Sequence, residues 1–465
     1  MSKIKSINPS NGKVLGEIEI STEKEILEKI SKAHKAKEAW YKLGIEGRSK
    51  ILRKFIDNFK NRKEEISQLA SSEMGMPISL SRGDADDSMH YFSWYLDNAE
   101  KYLSPEVIYE DDEMKHTAFR EPIGVSANIA PWNFPSSNFV WSVGQSLISG
   151  NVVIYKASEE VSLFGKSIEE IFNESGLPEG VFSEVYGDGE VGKILVNGNI
   201  DLIRFTGSTN TGKYLYKVAS EKFIKAFLEL GGSAPGIIFE DADIDRTVDS
   251  FFGNRFLFSG QICDGLKRLI VHESKKDEVI KKLVEKINNT KVGDSLDEAT
   301  EIGPLVSEKQ LIALEKQVAD AVEKGAKVEV GGEKLDLNGG FFYKPTVLTN
   351  ISFDMDVWKE EVFGPVLPVV TFKTEEEAIK LANDTKYGLG GFVFTEDKEK
   401  AKRVALELKT GMVQVNNAIY LKPSSPFGGY KESGMGREHG KFGFFDLTQV
   451  KVVTEEKWLK QLLLI

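Results

Sequence analysis

Through the first hundred residues, apolar side chains return every three or four positions. Ile26, Leu27, Ile30 and Ala33 share one helical face. Thr22 and Glu25, just ahead of them, form a capping box, in which hydroxyl and carboxylate each satisfy a backbone N–H that the first turn leaves open. A second helix runs from about residue 47 through Ile51, Leu52, Phe55, Ile56 and Phe59, and it or its successor ends near Gly75 and Pro77. The period then changes. Val107-Ile108-Tyr109, a polar Glu110-Asp111-Asp112-Glu113 turn and His116-Thr117-Ala118-Phe119 predict a hairpin over about 104–122 whose polar tip projects from the body.

From residue 123 short apolar, β-branched runs alternate with helical patterns. Strands are predicted over 123–129, 151–155, 181–186 and 202–205, with a helix over 162–175. A second block follows from about 233, with strands near 237–239, 269–271 and 366–372 and helices over 277–287 and 375–382. The tail over 446–453 again reads as strand. Strands interleaved with helices imply the α/β class and a doubly wound parallel sheet. A single core stops growing at roughly 250–300 residues, so 465 residues divide into two or three domains.

The composition, 41% hydrophobic and 28% charged, is that of an ordered globular protein. The net charge of −12 and the acids interleaved in every basic stretch, as in Lys275-Lys276-Asp277-Glu278 and Glu396-Asp397-Lys398-Glu399-Lys400, exclude a nucleic-acid partner. The polar N-terminus carries no secretory signal, and no run approaches the 18 or so apolar residues of a membrane span. Leu462-Leu463-Leu464-Ile465 is expected to dock as the end of a strand or helix. One cysteine allows neither an internal disulfide nor a multi-cysteine metal site, no metal is expected, and the cytoplasm is the expected compartment.

That cysteine, Cys263, ends the run Phe258-Ser259-Gly260-Gln261-Ile262-Cys263. It is either a small core filler or a nucleophile. Gly187-Asp188-Gly189-Glu190-Val191-Gly192 has dinucleotide-fingerprint spacing, but Asp188 would sit against the pyrophosphate and no acid ends a strand about 20 residues on, so it reads as a strand–helix turn. Phe205-Thr206-Gly207-Ser208-Thr209-Asn210-Thr211-Gly212 runs from a strand through a glycine turn into a helix from Lys213; it suits a phosphate at a helix N-terminus and equally a plain N-cap. Glu229-Leu230-Gly231-Gly232-Ser233 places a carboxylate at the end of a helix, before a glycine pair. Pro131-Trp132-Asn133-Phe134-Pro135 brackets an amide at a strand's C-terminal end, where ligands bind in open α/β sheets. Glu360-Glu361-Val362-Phe363-Gly364-Pro365 pairs acids with a tight turn. Singly, each is compatible with loop architecture.

In chain order these motifs, with Lys156-Ala157-Ser158-Glu159 and Pro426-Phe427-Gly428-Gly429-Tyr430-Lys431-Glu432-Ser433-Gly434, resemble the NAD(P)-dependent aldehyde dehydrogenase superfamily over essentially the whole chain. The resemblance implies that Cys263 attacks the aldehyde as thiolate, that Asn133 and the Cys263 N–H hold the oxyanion, and that Glu229 activates water to release the acid from a thioester. None of His34, His90, His116, His272 and His439 matches a catalytic position of the family. Retention of Glu229 implies hydrolysis rather than transfer to coenzyme A. For the cofactor, NAD or NADP, Lys156 and Glu159 match the adenosine-ribose contacts, Ser208 the pyrophosphate contact with Gly207 and Gly212 allowing close approach, and Glu361 and Phe363 the nicotinamide side. Trp132, Ser158, Leu230 and Gly231 complete that set. Glu159 would repel a 2′-phosphate, which favours NAD, with Lys156 able to swing and offset it. The family's usual Lys-Pro-x-Glu reads Lys-Ala-Ser-Glu here, and the missing proline loosens that turn.

The overall pattern, with Lys267-Arg268 downstream, is similar to short microbial succinate-semialdehyde dehydrogenases. Members selective for that aldehyde carry arginines where this chain has Trp141 and Leu257; Arg255 and Lys422 stand nearby in sequence as substitutes. A small uncharged or hydroxylated aldehyde, such as lactaldehyde or glyceraldehyde, is the alternative substrate. Ile262, Asp264, Ser425 and Phe427 join Trp141 and Leu257 in the expected pocket, with Asp264 either lining it or turning away. The resemblance implies a Rossmann-like cofactor domain over 1–103 and 123–232, a catalytic domain over 233–432, and an oligomerisation arm over 104–122 and 446–465 that makes a homodimer or homotetramer. A cofactor-independent cysteine hydrolase is the rival enzyme; a non-catalytic protein with the same fold is the rival outside catalysis.

Overall fold

A computed structural model describes residues 2–418 and 421–457. Two mostly parallel sheets form its framework, so the α/β class expected from the alternating pattern is the one observed. The first has six strands in the order Gly434–Met435, Lys225–Glu229, Leu202–Thr206, Val125–Ile129, Val152–Lys156 and Phe182–Glu184. Its strands run parallel apart from Gly434–Met435, which pairs antiparallel with Lys225–Glu229. Every residue of Val152–Lys156 is buried, as in a strand covered on both faces by helices. The second sheet orders seven strands as Lys327–Val330, Thr346–Thr349, Val366–Phe372, Leu266–His272, Ala234–Ile238, Phe392–Phe394 and Gln414–Val415.

The predicted hairpin is present as Glu106–Glu110 and Met114–Pro122, and the tail strand Thr448–Glu456 pairs antiparallel along the whole of Met114–Pro122. This three-stranded sheet leaves Val107, Ile108, Tyr109, Val450 and Val452 exposed. Leu462-Leu463-Leu464-Ile465 lies outside the described residues.

The capping box at Thr22 and Glu25 closes in both directions at the head of Glu23–Lys42. Three further helices follow, Gly44–Asn61, Lys63–Met74 and Ile78–Leu103. Lys63–Met74 stops at Gly75, whose φ of 79° is left-handed. Ahead of them lies a hairpin, Lys3–Ile7 with Val14–Glu19, that the pattern did not predict. Its strands are largely exposed and carry almost no apolar alternation.

Two expectations change at the glycine turns. The helix after Phe205 begins at Thr209 rather than Lys213, because Ser208 caps it. Glu229 ends a strand, not a helix. The helix Thr209–Lys222 stops at Phe223, which takes a left-handed φ of 55°, and Lys225–Glu229 then pairs parallel with Leu202–Thr206. Ala, Leu and Glu are good helix formers, and pairing with Leu202–Thr206 on one side and Gly434–Met435 on the other overrides that local preference.

Buried carboxylates replace side-chain caps at two helices that frame the site. Asp84 accepts from the N–H groups of Ser136 (3.0 Å) and Ser137 (3.2 Å) at the head of Pro135–Ile148. Glu73 accepts from Leu163 N–H (2.9 Å), Phe164 N–H (2.8 Å) and the Ser6 hydroxyl (2.7 Å) at the head of Ser162–Glu174. Each satisfies donors that a helix N-terminus leaves open, and so fixes where its helix starts.

Candidate active site

The strand Val125–Ile129 leads into Pro131-Trp132-Asn133, and Phe134, at φ 48°, turns the chain into Pro135–Ile148. Asn133 is buried. Its Nδ2 donates to the Gln261 carbonyl at 3.0 Å, two residues before Cys263, and its own carbonyl accepts from Asn138 Nδ2 at 2.6 Å. The amide predicted from the first sheet therefore reaches the cysteine segment beside the second.

That segment is a strained kink. Phe258 (φ 52°) and Ser259 (φ 51°) are consecutive left-handed non-glycine residues, followed by Gly260 at φ 66°. Surrounding contacts hold this unfavourable backbone. The Phe258 ring meets Phe134 at 5.4 Å and Trp132 at 6.0 Å, and Ser259 Oγ donates to the Gly303 carbonyl. The wholly buried Gln261 donates to the carbonyls of Phe258 (3.3 Å) and Pro304 (3.5 Å) and accepts from Val306 N–H (2.9 Å). The kink delivers Cys263 half-buried, at the surface of the site.

Lys267, wholly buried on Leu266–His272, ties three segments to this point. Its ammonium donates to the Cys263 carbonyl (3.1 Å), the Gly232 carbonyl (3.0 Å) and the Glu361 carboxylate. Glu361 also accepts from Gly232 N–H at 3.1 Å. Both glycines are required: a Cβ at Gly231 would stand 2.1 Å from Glu361 Oε2, and one at Gly232 2.7 Å from the Cys263 carbonyl. Phe363 lies with its ring 5.0 Å from Lys267 Nζ and 5.6 Å from Trp132. Glu229, Leu230, Gly231, Glu361, Phe363, Trp132, Asn133 and Cys263 thus belong to one neighbourhood.

Glu229 is buried, and neither of its carboxylate oxygens has a hydrogen-bond partner among the described residues. Burial raises its pKa well above the usual carboxylate range; Glu438 adds to this, while Arg437 and Arg204 oppose it. The Cys263 thiol is likewise pushed up, by burial first and then Asp264, with Lys267 pulling the other way.

At the far end of the first sheet the buried Lys156 donates to the Ala157 carbonyl at 3.1 Å, and its Nζ lies 3.8 Å from Glu159 Oε2. Ser158 accepts from Glu160 N–H at 3.4 Å and caps the short turn Glu159–Val161, which leaves Glu159 exposed. Ser208 is exposed at the head of its helix and accepts from Thr211 N–H at 3.4 Å. The room at Gly207 and Gly212 is taken from within the protein. A Cβ there would meet the Phe205 ring and the Leu230 side chain, each at 2.5 Å. The Gly187–Gly192 run is the strand–helix turn it was read as, with Asp188 accepting from Glu190 N–H at 2.9 Å.

A family model for the aldehyde dehydrogenase family matches residues 1–453. The chain belongs to the aldehyde dehydrogenase family. It is similar to betaine aldehyde dehydrogenase of Bacillus subtilis (strain 168), with 38% identity over 454 residues covering 96% of this chain and 93% of that protein. It is also similar to the succinate-semialdehyde dehydrogenase [NADP(+)] GabD of Escherichia coli (strain K12), with 34% identity covering 96% and 92%. Among solved structures, a point mutant of Staphylococcus aureus betaine aldehyde dehydrogenase in complex with NAD+ superposes with a TM-score of 0.95 at 34% identity, covering 99% of this chain and 95% of that one. This aldehyde dehydrogenase is accordingly an oxidoreductase that uses NAD(P).

Of the expected substrate residues, Trp141 and Phe427 meet at 5.8 Å between ring centroids. Tyr91 (5.7 Å from Trp141) and His439 (4.9 Å from Trp141) complete an aromatic wall that sequence reasoning missed. Leu257 borders a cavity of about 490 Å³ with Asp249, Phe252, Lys282 and Lys286. Ile262 is half-buried and Ser425 exposed. Asp264 is buried, its backbone carbonyl 3.1 Å from where a Gly390 Cβ would stand. Arg255 is no substitute for a carboxylate-binding arginine, because it is wholly buried and donates to the backbone carbonyls of Gly364 and Leu266. Lys422 is exposed.

The ion pair behind Glu229 also escaped the sequence reading. Arg204 on Leu202–Thr206 and Glu438 are both buried and pair at 2.5 Å. The available signal was an arginine inside an otherwise apolar strand. Gly428, at φ 152°, makes room for the Glu229 carboxyl, since a Cβ there would lie 2.6 Å from Glu229 Oε1. Gly428→Ala is therefore expected to displace Glu229 and to lower kcat at least about tenfold for any aldehyde the unmodified protein oxidises. An unchanged kcat would contradict this placement.

Proposed function

We propose that this chain oxidises an aldehyde to the carboxylic acid by the hydrolytic, non-acylating route, with Cys263 as nucleophile and Glu229 as general base. The observation that carries the reading is the convergence of Asn133, the cysteine kink and the glycine pair after Glu229 on one point through Lys267 and Gln261. Asn133 Nδ2 and the Cys263 N–H are the donors for the oxyanion formed when sulfur attacks the carbonyl. Lys267 favours the thiolate over the thiol.

The donor set at the far end suits a dinucleotide. A buried ammonium beside an exposed carboxylate offers a donor and an acceptor for ribose hydroxyls, and Ser208 presents a helix N-terminus for a pyrophosphate. Lys156, Ser158, Glu159 and Ser208 would hold the adenosine and phosphates, with Trp132, Leu230, Gly231, Glu361 and Phe363 at the nicotinamide side. NAD(P)+, when bound, supplies the hydride acceptor that converts the adduct on Cys263 into a thioester. Glu159, a carboxylate that a 2′-phosphate would have to approach, supports NAD over NADP. Glu229, with both oxygens free of protein partners, then takes a proton from the water that hydrolyses the thioester.

The wall of Trp141, Phe427 and Tyr91 supports an aldehyde whose far end is uncharged or cationic. Aromatic faces attract a cation and give an anion nothing. Burial first, then the negative charges of Asp87 and Asp264, raise the Tyr91 pKa, so negative charge acts on this wall and adds to the bias against succinate semialdehyde. The exposed apolar strand edges at Glu106–Glu110 and Thr448–Glu456 support an arm that pairs with a second copy in a homodimer or homotetramer. A nucleophilic thiol supports a reducing compartment, the cytoplasm.

Because burial raises the Glu229 pKa, turnover that depends on this base is expected to rise with pH as the carboxyl ionises. Glu229→Gln is expected to give one burst of reduced cofactor per active site and then a slow steady state that no longer rises with pH. Absence of the burst would remove Glu229 from the hydrolytic step. The substrate reading is tested by kcat/KM for betaine aldehyde, lactaldehyde, glyceraldehyde and succinate semialdehyde with each cofactor. Succinate semialdehyde is expected to rank last and to improve relative to the others in Trp141→Arg; if it ranks first, the aromatic wall does not select the substrate.

A further inference from the structure

The helix Pro135–Ile148 begins at a bond whose two halves have found other partners. Its first closed turn joins the Asn138 N–H to the Phe134 carbonyl at 2.8 Å. One residue back, the same ladder would join the Ser137 N–H to the Asn133 carbonyl. Each half goes elsewhere. The Ser137 N–H donates to Asp84 Oδ1 at 3.2 Å, and the Asn133 carbonyl accepts from Asn138 Nδ2 at 2.6 Å. Asp84 and Asn138 are both buried, where a polar group without a partner costs free energy. Asparagine is also a poor helix former, and the bond back to Asn133 accounts for its place in the first turn. Released from the ladder, the chain turns at Phe134, whose φ of 48° and ψ of 59° are left-handed, and the Phe134 ring settles 5.4 Å from Phe258.

We infer that Asp84 and Asn138 are positioning residues for the oxyanion donor: by taking the two halves of that bond, they hold Asn133 outside the helix with its amide against the cysteine segment. The inference rests on the reading of Asn133 as that donor. The Asn133 amide carries a pair of N–H groups. One donates to the Gln261 carbonyl at 3.0 Å, which leaves the other for the developing oxygen anion. Asn133 is thus tied at both ends, its main chain by Asn138 and its side chain by Gln261. Without Asp84 and Asn138, the Ser137 N–H is free to close on the Asn133 carbonyl, which lengthens the helix and swings the amide away. A displacement of about 1 Å at such a donor costs up to about 10²-fold in rate.

The test is the burst of p-nitrophenolate from p-nitrophenyl acetate on the full-length protein, which needs neither an aldehyde nor a cofactor. Attack by the Cys263 thiolate places a negative charge on the carbonyl oxygen; the C=O then re-forms, the bond to p-nitrophenolate breaks, and the acetyl group stays on sulfur. Alkylation by iodoacetamide is the control, because it displaces iodide from a saturated carbon and forms no oxyanion. Asn138→Leu keeps the volume and removes the donor; Asp84→Asn leaves one acceptor oxygen for a pair of N–H groups. They are expected to slow the burst about tenfold and about fivefold, with alkylation within about twofold of the unmodified protein. Asn133→Ala is expected to slow the burst about 10²-fold, and neither substitution is expected to slow it further in that background. The two variants act on opposite halves of the bond, so if one fails to fold the other decides. Losses that multiply with that of Asn133→Ala, or alkylation slowed as much as the burst, overturn the inference. If Asn133→Ala slows the burst while the folded variants at 84 and 138 do not, only the positioning role falls. If Asn133→Ala itself leaves the burst unchanged, the oxyanion reading falls and takes the inference with it.

Discussion

One buried ammonium holds the candidate site together. Lys267 has no contact with solvent, and taking an ammonium out of water costs several kcal/mol unless its protons find acceptors. The acceptors are the Glu361 carboxylate and the carbonyls of Gly232 and Cys263, so the cation is stable only when three separate segments are in place. The proposed chemistry is placed on the same segments: the cysteine, the turn after Glu229 and the Glu361 carboxylate. Glycine at 231 and 232 follows from this convergence, since side chains there would collide with Glu361 and with the cysteine's own carbonyl.

Around that tie the backbone is strained at Phe258 and Ser259 and Glu229 is buried. Consecutive left-handed residues at Phe258 and Ser259 would unwind without the rings of Phe134 and Trp132 against them. Asn133 shares the arrangement: its helix is started by Asp84, and its side chain clasps the kink at Gln261. Burial raises the Glu229 pKa, and a charged Glu229 would itself oppose ionisation of the Cys263 sulfur. Relatives of this chain are named betaine aldehyde dehydrogenase and succinate-semialdehyde dehydrogenase, and the proposed bias against the second kind rests on the aromatic wall at Trp141.

Much of this was legible in the sequence because it is local. The capping box at Thr22, the hairpin after residue 104 and the alternation from 123 onward each depend on near neighbours, and each appears where the spacing placed it. Glu229 was legible as a candidate carboxylate but not as the end of a strand, because its segment has helical composition and only its pairing in the sheet decides its state. Lys267 was visible as half of a basic doublet, yet what it binds lies 35 and 94 residues away along the chain. Tyr91, His439 and the Arg204–Glu438 pair were missed for the same reason. They become a wall and a charge pair only when a helix, a strand and a C-terminal loop are packed together.

The central claim, that Lys267 both assembles the site and draws the thiol toward its reactive form, is tested most directly by the pH dependence of Cys263 alkylation. The chain has a single cysteine, so the rate at which iodoacetamide adds mass to the intact protein reports on that sulfur alone. With Lys267→Met, whose side chain is of similar length and carries no charge, the account expects slower alkylation across the neutral range and an apparent thiol pKa shifted upward. An alkylation profile that superposes on that of the unmodified protein would contradict it.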